Sequence, residues 1–125
     1  MSTKLHDLET QAVLLNSIAP ITATTNQTGS AIDLLPGDGN AFAILLVGVV
    51  AAGTTVTGKV QEAEVSNGTW TDVPDGSFSS VTSSNQTRIV TFQRSQRFVR
   101  CVLTISGTDA SAVVAAAVGQ QRKLS

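Results

Sequence analysis

From Ala31 onward, apolar and polar residues alternate in short runs broken by turn residues, the pattern of a β-rich chain. Eight strands are expected: AIDLL (31–35), AFAILLVGVV (41–50) after the turn PGDGN, TVTGKVQEAEV (55–65) after AAGT, TWTDV (69–73), SFSSV (77–81), RIVTFQR (88–94), RFVRCVLTIS (97–106) and SAVVAAAVGQQ (111–121). That number and spacing suit an all-β fold, an antiparallel β-sandwich of jelly-roll type. The segment before them differs. KLHDLETQAVLLNSIAPI places Leu5, Leu8, Ala12 and Leu15 at helix-like intervals, but Pro20 and the following TATTNQTGS end any helix there. Residues 1–30 are therefore read as an N-terminal arm, extended or briefly helical, and residues 31–125 as the sandwich domain. Leu5, Leu8 and Leu15 are the arm's candidates for packing on a neighbouring subunit.

The faces of the strands can be read from period-two alternation. On RFVRCVLTIS, Val99, Cys101, Leu103 and Ile105 share one face, and Phe98, Arg100, Val102 and Thr104 share the other. In TVTGKVQEAEV, Val56 and Val60 lie on one face but Ala63 and Val65 on the opposite one, so a β-bulge near Gln61 and Glu62 is expected. Residues 44–50 and 112–118 are apolar on both faces, which implies that the outward face meets another subunit or the arm. Asn67-Gly68 carries the signature of a tight hairpin turn with left-handed dihedrals. Trp70 follows it at the start of the return strand, where it either closes one end of the core or offers its indole to a ligand.

Composition sharpens this reading. The chain has 125 residues, enough for one domain with a real core, and only 14% of them are charged, against about a quarter in a typical globular protein. So little charge leaves part of the surface to be covered by partners, which favours an oligomer or a component of a larger assembly. The net charge of −1 gives no general attraction to nucleic acid or to an anionic membrane. The charged residues interrupting the start of the chain argue against a signal peptide, and the longest apolar run, residues 41–53, is too short for a membrane helix. A soluble protein made in the cytoplasm is expected.

Chemistry-bearing residues are sparse. Hydrolytic catalysis generally needs a base, and the single histidine, His6, lies in the arm; Cys101 stands alone on an inward-reading face. No enzymatic activity, cofactor or metal is expected. Zinc would need more cysteine and histidine than the chain has. Glu62, Glu64, Asp72 and Asp75 flank the hairpin and are weighed as calcium ligands against a plain solvated hairpin, which is the preferred reading. PGDGN lacks a phosphate-cradling pattern, and the Asn-X-Thr triplets at Asn26, Asn67 and Asn85 reflect turn composition. Arg94, Arg97 and Arg100 form the densest basic cluster. They are read either as anchors for an acidic partner surface or as cross-strand partners of Glu62, Glu64 or Asp72.

The order VQEAEVSNGTWTDVPDGSF, then QRFVRCVLTISG, then a closing alanine-valine strand resembles small tailed-bacteriophage virion proteins, specifically head decoration or cement proteins. The resemblance rests on Gln61-Glu62, on residues 70–74 and on residues 97–100, and it extends over roughly residues 31–120. It implies a β-sandwich, often a homotrimer, bound to the major capsid protein on the outside of the head and bracing the shell, with no enzymatic step. Similar hairpins occur in tail or baseplate components and in carbohydrate-binding sandwiches, so a tail component and a carbohydrate-binding virion adhesin are the alternatives.

Overall fold

The computed structural model describes residues 12–34 and 37–122. The strands are β1 (Ala12–Ala23), β2 (Gln27–Thr28), β3 (Ile32–Asp33), β4 (Gly37–Val50), β5 (Thr55–Ala63), β6 (Thr71–Val81), β7 (Gln86–Gln93), β8 (Phe98–Ser106) and β9 (Ala112–Arg122). A first sheet has the order β1-β9-β4-β7 and a second the order β2-β8-β5-β6, with β3 also pairing β8. All pairings are antiparallel. The chain changes sheet at every connection except β2–β3 and the β5–β6 hairpin. Taken as one interrupted edge strand, β2 and β3 complete the jelly roll that the alternation of the sequence predicts.

Inward side chains of both sheets make a single aliphatic core. Val99, Cys101 and Leu103 of β8 face Ala43 and Leu45 of β4 and Val114, Ala116 and Val118 of β9. The core is filled mostly by small branched residues, and Phe78 and Phe92 are its aromatic members. Gly58 makes room for one of them. A Cβ at this position would stand 2.6 Å from Leu103 Cδ2 and 3.0 Å from Phe78 Cδ2, so the missing side chain lets the ring cross β5.

Residues 1–30, expected as an arm, contribute strands of the sandwich from Ala12 onward. β1 pairs β9 along its whole length, from Ala12↔Gln121 to Ala23↔Ala112. Its alternation is hard to see in sequence because the register shifts twice, between Asn16 and Ile18 and between Ile18 and Ile21. Pro20 lies in the second irregularity, on an edge strand where a missing N–H breaks no ladder. Leu15 is half exposed on this edge strand, and Leu5 and Leu8 lie outside the described residues.

The first shift has a structural use. Between β2 and β3 the edge of the second sheet is interrupted, and the backbone N–H of Cys101 in β8 is satisfied by Ser17 Oγ of β1, at 3.0 Å. Ser17 Oγ in turn donates to the Ser30 carbonyl at 3.0 Å, and Ser30 N donates to the Ser17 carbonyl at 2.7 Å. Gly29 N reaches the Cys101 carbonyl at 2.8 Å; a Cβ on Gly29 would fall 2.1 Å from Ser17 Oγ. One serine thus ties the two sheets together along this side of the sandwich.

The expected bulge in β5 is not there. β5 pairs β8 without a shift from Thr55↔Ser106 to Ala63↔Phe98. The irregularity lies across the other edge, where Lys59 pairs Ser77 and Gln61 already pairs Asp72, so the extra residues belong to β6. They are VPDG, with Asp75 at φ 63°, and they join the expected strands TWTDV and SFSSV into one. β5 keeps its register because Glu62, an acid at an inward position, is buried there. Its carboxylate accepts from Ser95 N at 2.8 Å, Ser95 Oγ at 2.9 Å and Gln96 N at 3.2 Å, closing the β7–β8 turn. A buried carboxylate with three donors is stable where an unpartnered one is not.

Replacing Ser17 by alanine leaves the Cys101 N–H buried without an acceptor. Ser17→Ala is expected to lower unfolding free energy by about 1–3 kcal/mol, measured as a fall in the urea midpoint with unchanged slope.

Candidate functional site

The outer face of the first sheet carries a run of exposed apolar side chains. Register places Phe42, Ile44 and Leu46 of β4 beside Val113, Ala115 and Ala117 of β9. On either side lie Ile89 of β7 and Leu14 of β1. Ile89 is 62% exposed, Leu14 55% and Leu46 50%, so nothing in the chain's described residues covers this face. Its other described positions include Asn16, Thr22, Asn40, Thr87, Thr91 and Gln93, all neutral, and no ionisable side chain projects from it among the described residues. This is the both-faces-apolar character that residues 44–50 and 112–118 show in sequence. A shallow groove of about 420 Å³ runs across it, lined by Pro20, Leu46, Gly48, Thr87, Val113 and Ala115 among others.

The three arginines have different surroundings. Arg94 turns into one end of the sandwich, donating to the Leu34 carbonyl at 2.7 Å, the Gln96 carbonyl at 3.1 Å and Gln120 Oε1 at 3.4 Å. Gln120 is buried there and also donates to the Leu34 carbonyl. Arg97 forms a two-pronged ion pair with Asp33 on β3, Nε to Oδ1 at 3.0 Å and Nη2 to Oδ2 at 2.8 Å, and stacks on Phe98. Hydrogen bonding to Asp33 raises the guanidinium pKa further.

Arg100 stands on the outer face of the second sheet, opposite Gln61 in register. Its Nε and Nη2 both donate to Gln61 Oε1, at 3.0 and 2.8 Å. The Gln61 amide nitrogen donates to Asp72 Oδ1 at 3.1 Å, and Lys59 Nζ lies 3.1 Å from the same carboxylate. These bonds, Gln61 first and Lys59 second, hold the Asp72 carboxyl below its ordinary range. The expected pairing of the arginines with Glu62, Glu64 or Asp72 is thus replaced: Glu62 points inward to the β7–β8 turn, and Asp72 is taken by Lys59 and Gln61. The acidic side chains weighed as calcium ligands are likewise drawn apart, and no group of three or more metal-ligating side chains occurs among the described residues.

Trp70 lies outside the core. It is half buried just before β6, with the Arg100 guanidinium 4.3 Å from its ring centroid, so it packs on the outer face of the second sheet and does not close an end of the sandwich. The reason is the register that sets Arg100 beside it, since a cation over an indole is a favourable contact. The turn before it also differs from expectation. Gly68 N donates to the Val65 carbonyl at 3.0 Å, so Ser66 and Asn67 are the central residues, and neither Asn67 nor Gly68 has a positive φ. Gly68 occupies the fourth position, where glycine is common in turns that need no left-handed residue.

Ser17 and Gln120 are buried structural polar residues that the sequence did not single out, and Glu62 was singled out for other roles. Glu62 sat in an acidic run and read as exposed; only its inward phase with Val56 and Val60 marked it.

No protein-family model matches the chain, and no curated protein sequence does. Among solved structures, the SPBc2 prophage-derived protein YomS superposes with a TM-score of 0.51 at 14% identity, over 87% of this chain and 93% of that one. A protein of the disulfide-linked pili of Bacillus endospore appendages gives 0.46 at 14% identity, over 92% and 90%. A xylan-binding domain of carbohydrate-binding family 22 gives 0.44 at 11%, over 92% and 89%. The likeness to YomS is one of fold.

Burial pushes the Cys101 thiol up to about 12, slightly offset by its hydrogen bond with Ser17. A raised thiol pKa stabilises the fold below the unfolded value of 9.0 and gives up that stability as pH climbs toward 12. Native protein should therefore resist thiol reagents, and unfolding free energy should fall between these pH values, a slope that Cys101→Ala should remove in pH-dependent urea titrations.

Proposed function

We propose that the chain is a structural component of a bacteriophage particle that works in several copies: a head decoration protein, bound to the outside of the shell as a trimer. The observation that carries this reading is the uncharged, uncovered outer face of the first sheet. Four strands and about seven residues of each give it an area of about 450 Å². Two such faces together bury on the order of 1,000 Å², near the lower limit for a specific protein interface. A second copy is the occupant that suits it. With no ionisable side chain among the face's described residues, copies meet there without charge repulsion, and around a three-fold axis each sets one part of its face against a different part of its neighbour.

An interface of that size is modest alone. On a symmetric shell each contact is repeated, so the second and third form at high effective concentration and the sum is far stronger than any one. Bracing of the shell then follows from area and symmetry, and the function needs no catalytic step. A prophage-derived protein of the same fold is in keeping with a phage setting, and the resemblance of residues 31–120 to decoration proteins supports the head as its place.

Light scattering is expected to show an oligomer for the wild-type chain, and a monomer of unchanged circular dichroism for Leu46→Asp combined with Ile89→Asp. The wild type should also sediment with matching capsids, and the double variant much less. A wild-type monomer that stays in the supernatant would end this reading, and immunogold label on the tail in electron micrographs would replace it with a tail component.

A further inference from the structure

We propose that Arg100 is a docking point for a carboxylate on a partner protein, and that Trp70 packs against the same acidic segment. This goes beyond the assembly reading, because it uses the opposite face of the molecule and requires neither a second copy nor a shell.

The argument is one of unspent charge. On the outer face of the second sheet, Asp33 is paired with Arg97 and Asp72 with Lys59. Arg100 has no carboxylate among the described residues. Its hydrogen-bond partner is the neutral side-chain oxygen of Gln61, which takes Nε and one hydrogen of Nη2. The Nη1 hydrogens and the other Nη2 hydrogen have no acceptor, and together they form the end-on fork that matches the two oxygens of a carboxylate.

The fork is also held in place. Gln61 cannot turn its amide without losing Asp72, and Asp72 is fixed by Lys59, so the chain Lys59–Asp72–Gln61–Arg100 sets the guanidinium's position from three adjacent strands. Trp70 supports its flat face at 4.3 Å. A guanidinium ordered before binding loses little entropy on docking.

An acidic protein segment is favoured over an acidic sugar by the same geometry. Arg100 already covers one face of the indole, so the ring is not an open platform for a pyranose. Tryptophan and arginine side by side are the residue types that dominate protein–protein contact energies. Any carboxylate that docks would also be held by attraction that salt weakens.

Trp70 is the only tryptophan and the chain has no tyrosine, so intrinsic emission reports this face directly. Titration with an oligoglutamate peptide should shift Trp70 emission saturably at low salt, and an oligoglutamine peptide should not. Calorimetry, which does not depend on the fluorophore, should show affinity about tenfold or more weaker in Arg100→Gln, intermediate in Arg100→Lys and unchanged in Arg88→Gln. No saturable response with folded protein, or equal affinity in Arg100→Gln, overturns the proposal. So does tighter binding of an oligogalacturonate than of an oligoglutamate of equal charge. These readouts use the isolated chain, so they stand or fall separately from oligomerisation and capsid binding.

Discussion

Strand β9 is alanine, valine and glycine from Ala112 to Gly119, so these side chains offer little grip and its backbone pairing on both edges carries it. β1 holds one edge and β4 the other, both antiparallel, with two register shifts on each side. Without β1 the strand would be an exposed apolar edge, the kind of surface that pairs with the wrong chain. The placement of β1 in turn depends on Ser17, which its first register shift turns toward the second sheet. Core, edge protection and the flat outer face of the first sheet all follow from this arrangement.

The two outer faces divide the chemistry between them. The described side chains of the first are neutral and largely apolar. The second carries Lys59, Asp72, Arg97, Asp33 and Arg100, joined by hydrogen bonds across its strands. Among the described residues, the hydrogen-bonded charges at Asp33, Lys59, Asp72, Arg97 and Arg100 gather on this one side. The usual remedy for a greasy sheet surface, scattered lysines and glutamates, is absent from the first face.

Much of the sandwich was legible in the sequence. Period-two alternation gave the inward set of β8 correctly, Val99 through Ile105, and the doubly apolar runs of β4 and β9 announced an outer face without charge. The failures have specific causes. β1 was hidden by two register shifts and a proline that mimic the end of a helix. Glu62 breaks the rule that acids face water, and the bulge expected in β5 to bring Ala63 and Val65 onto the inward face belongs instead to β6. Side-chain partners were the least readable part. Whether an arginine is free or spent depends on cross-strand register, and a one-residue difference decides whether Arg100 meets Gln61 or a glutamate.

The pairing of β1 with β9 also sets a timetable. As the chain leaves the ribosome, β1 emerges long before its neighbour, because every other strand of the sandwich precedes β9. Two of the four strands of the first sheet, β1 and β9, can take their places only when translation has passed β9, whereas β4 and β7 can pair earlier. The complete four-stranded face therefore forms only after β9 has been made.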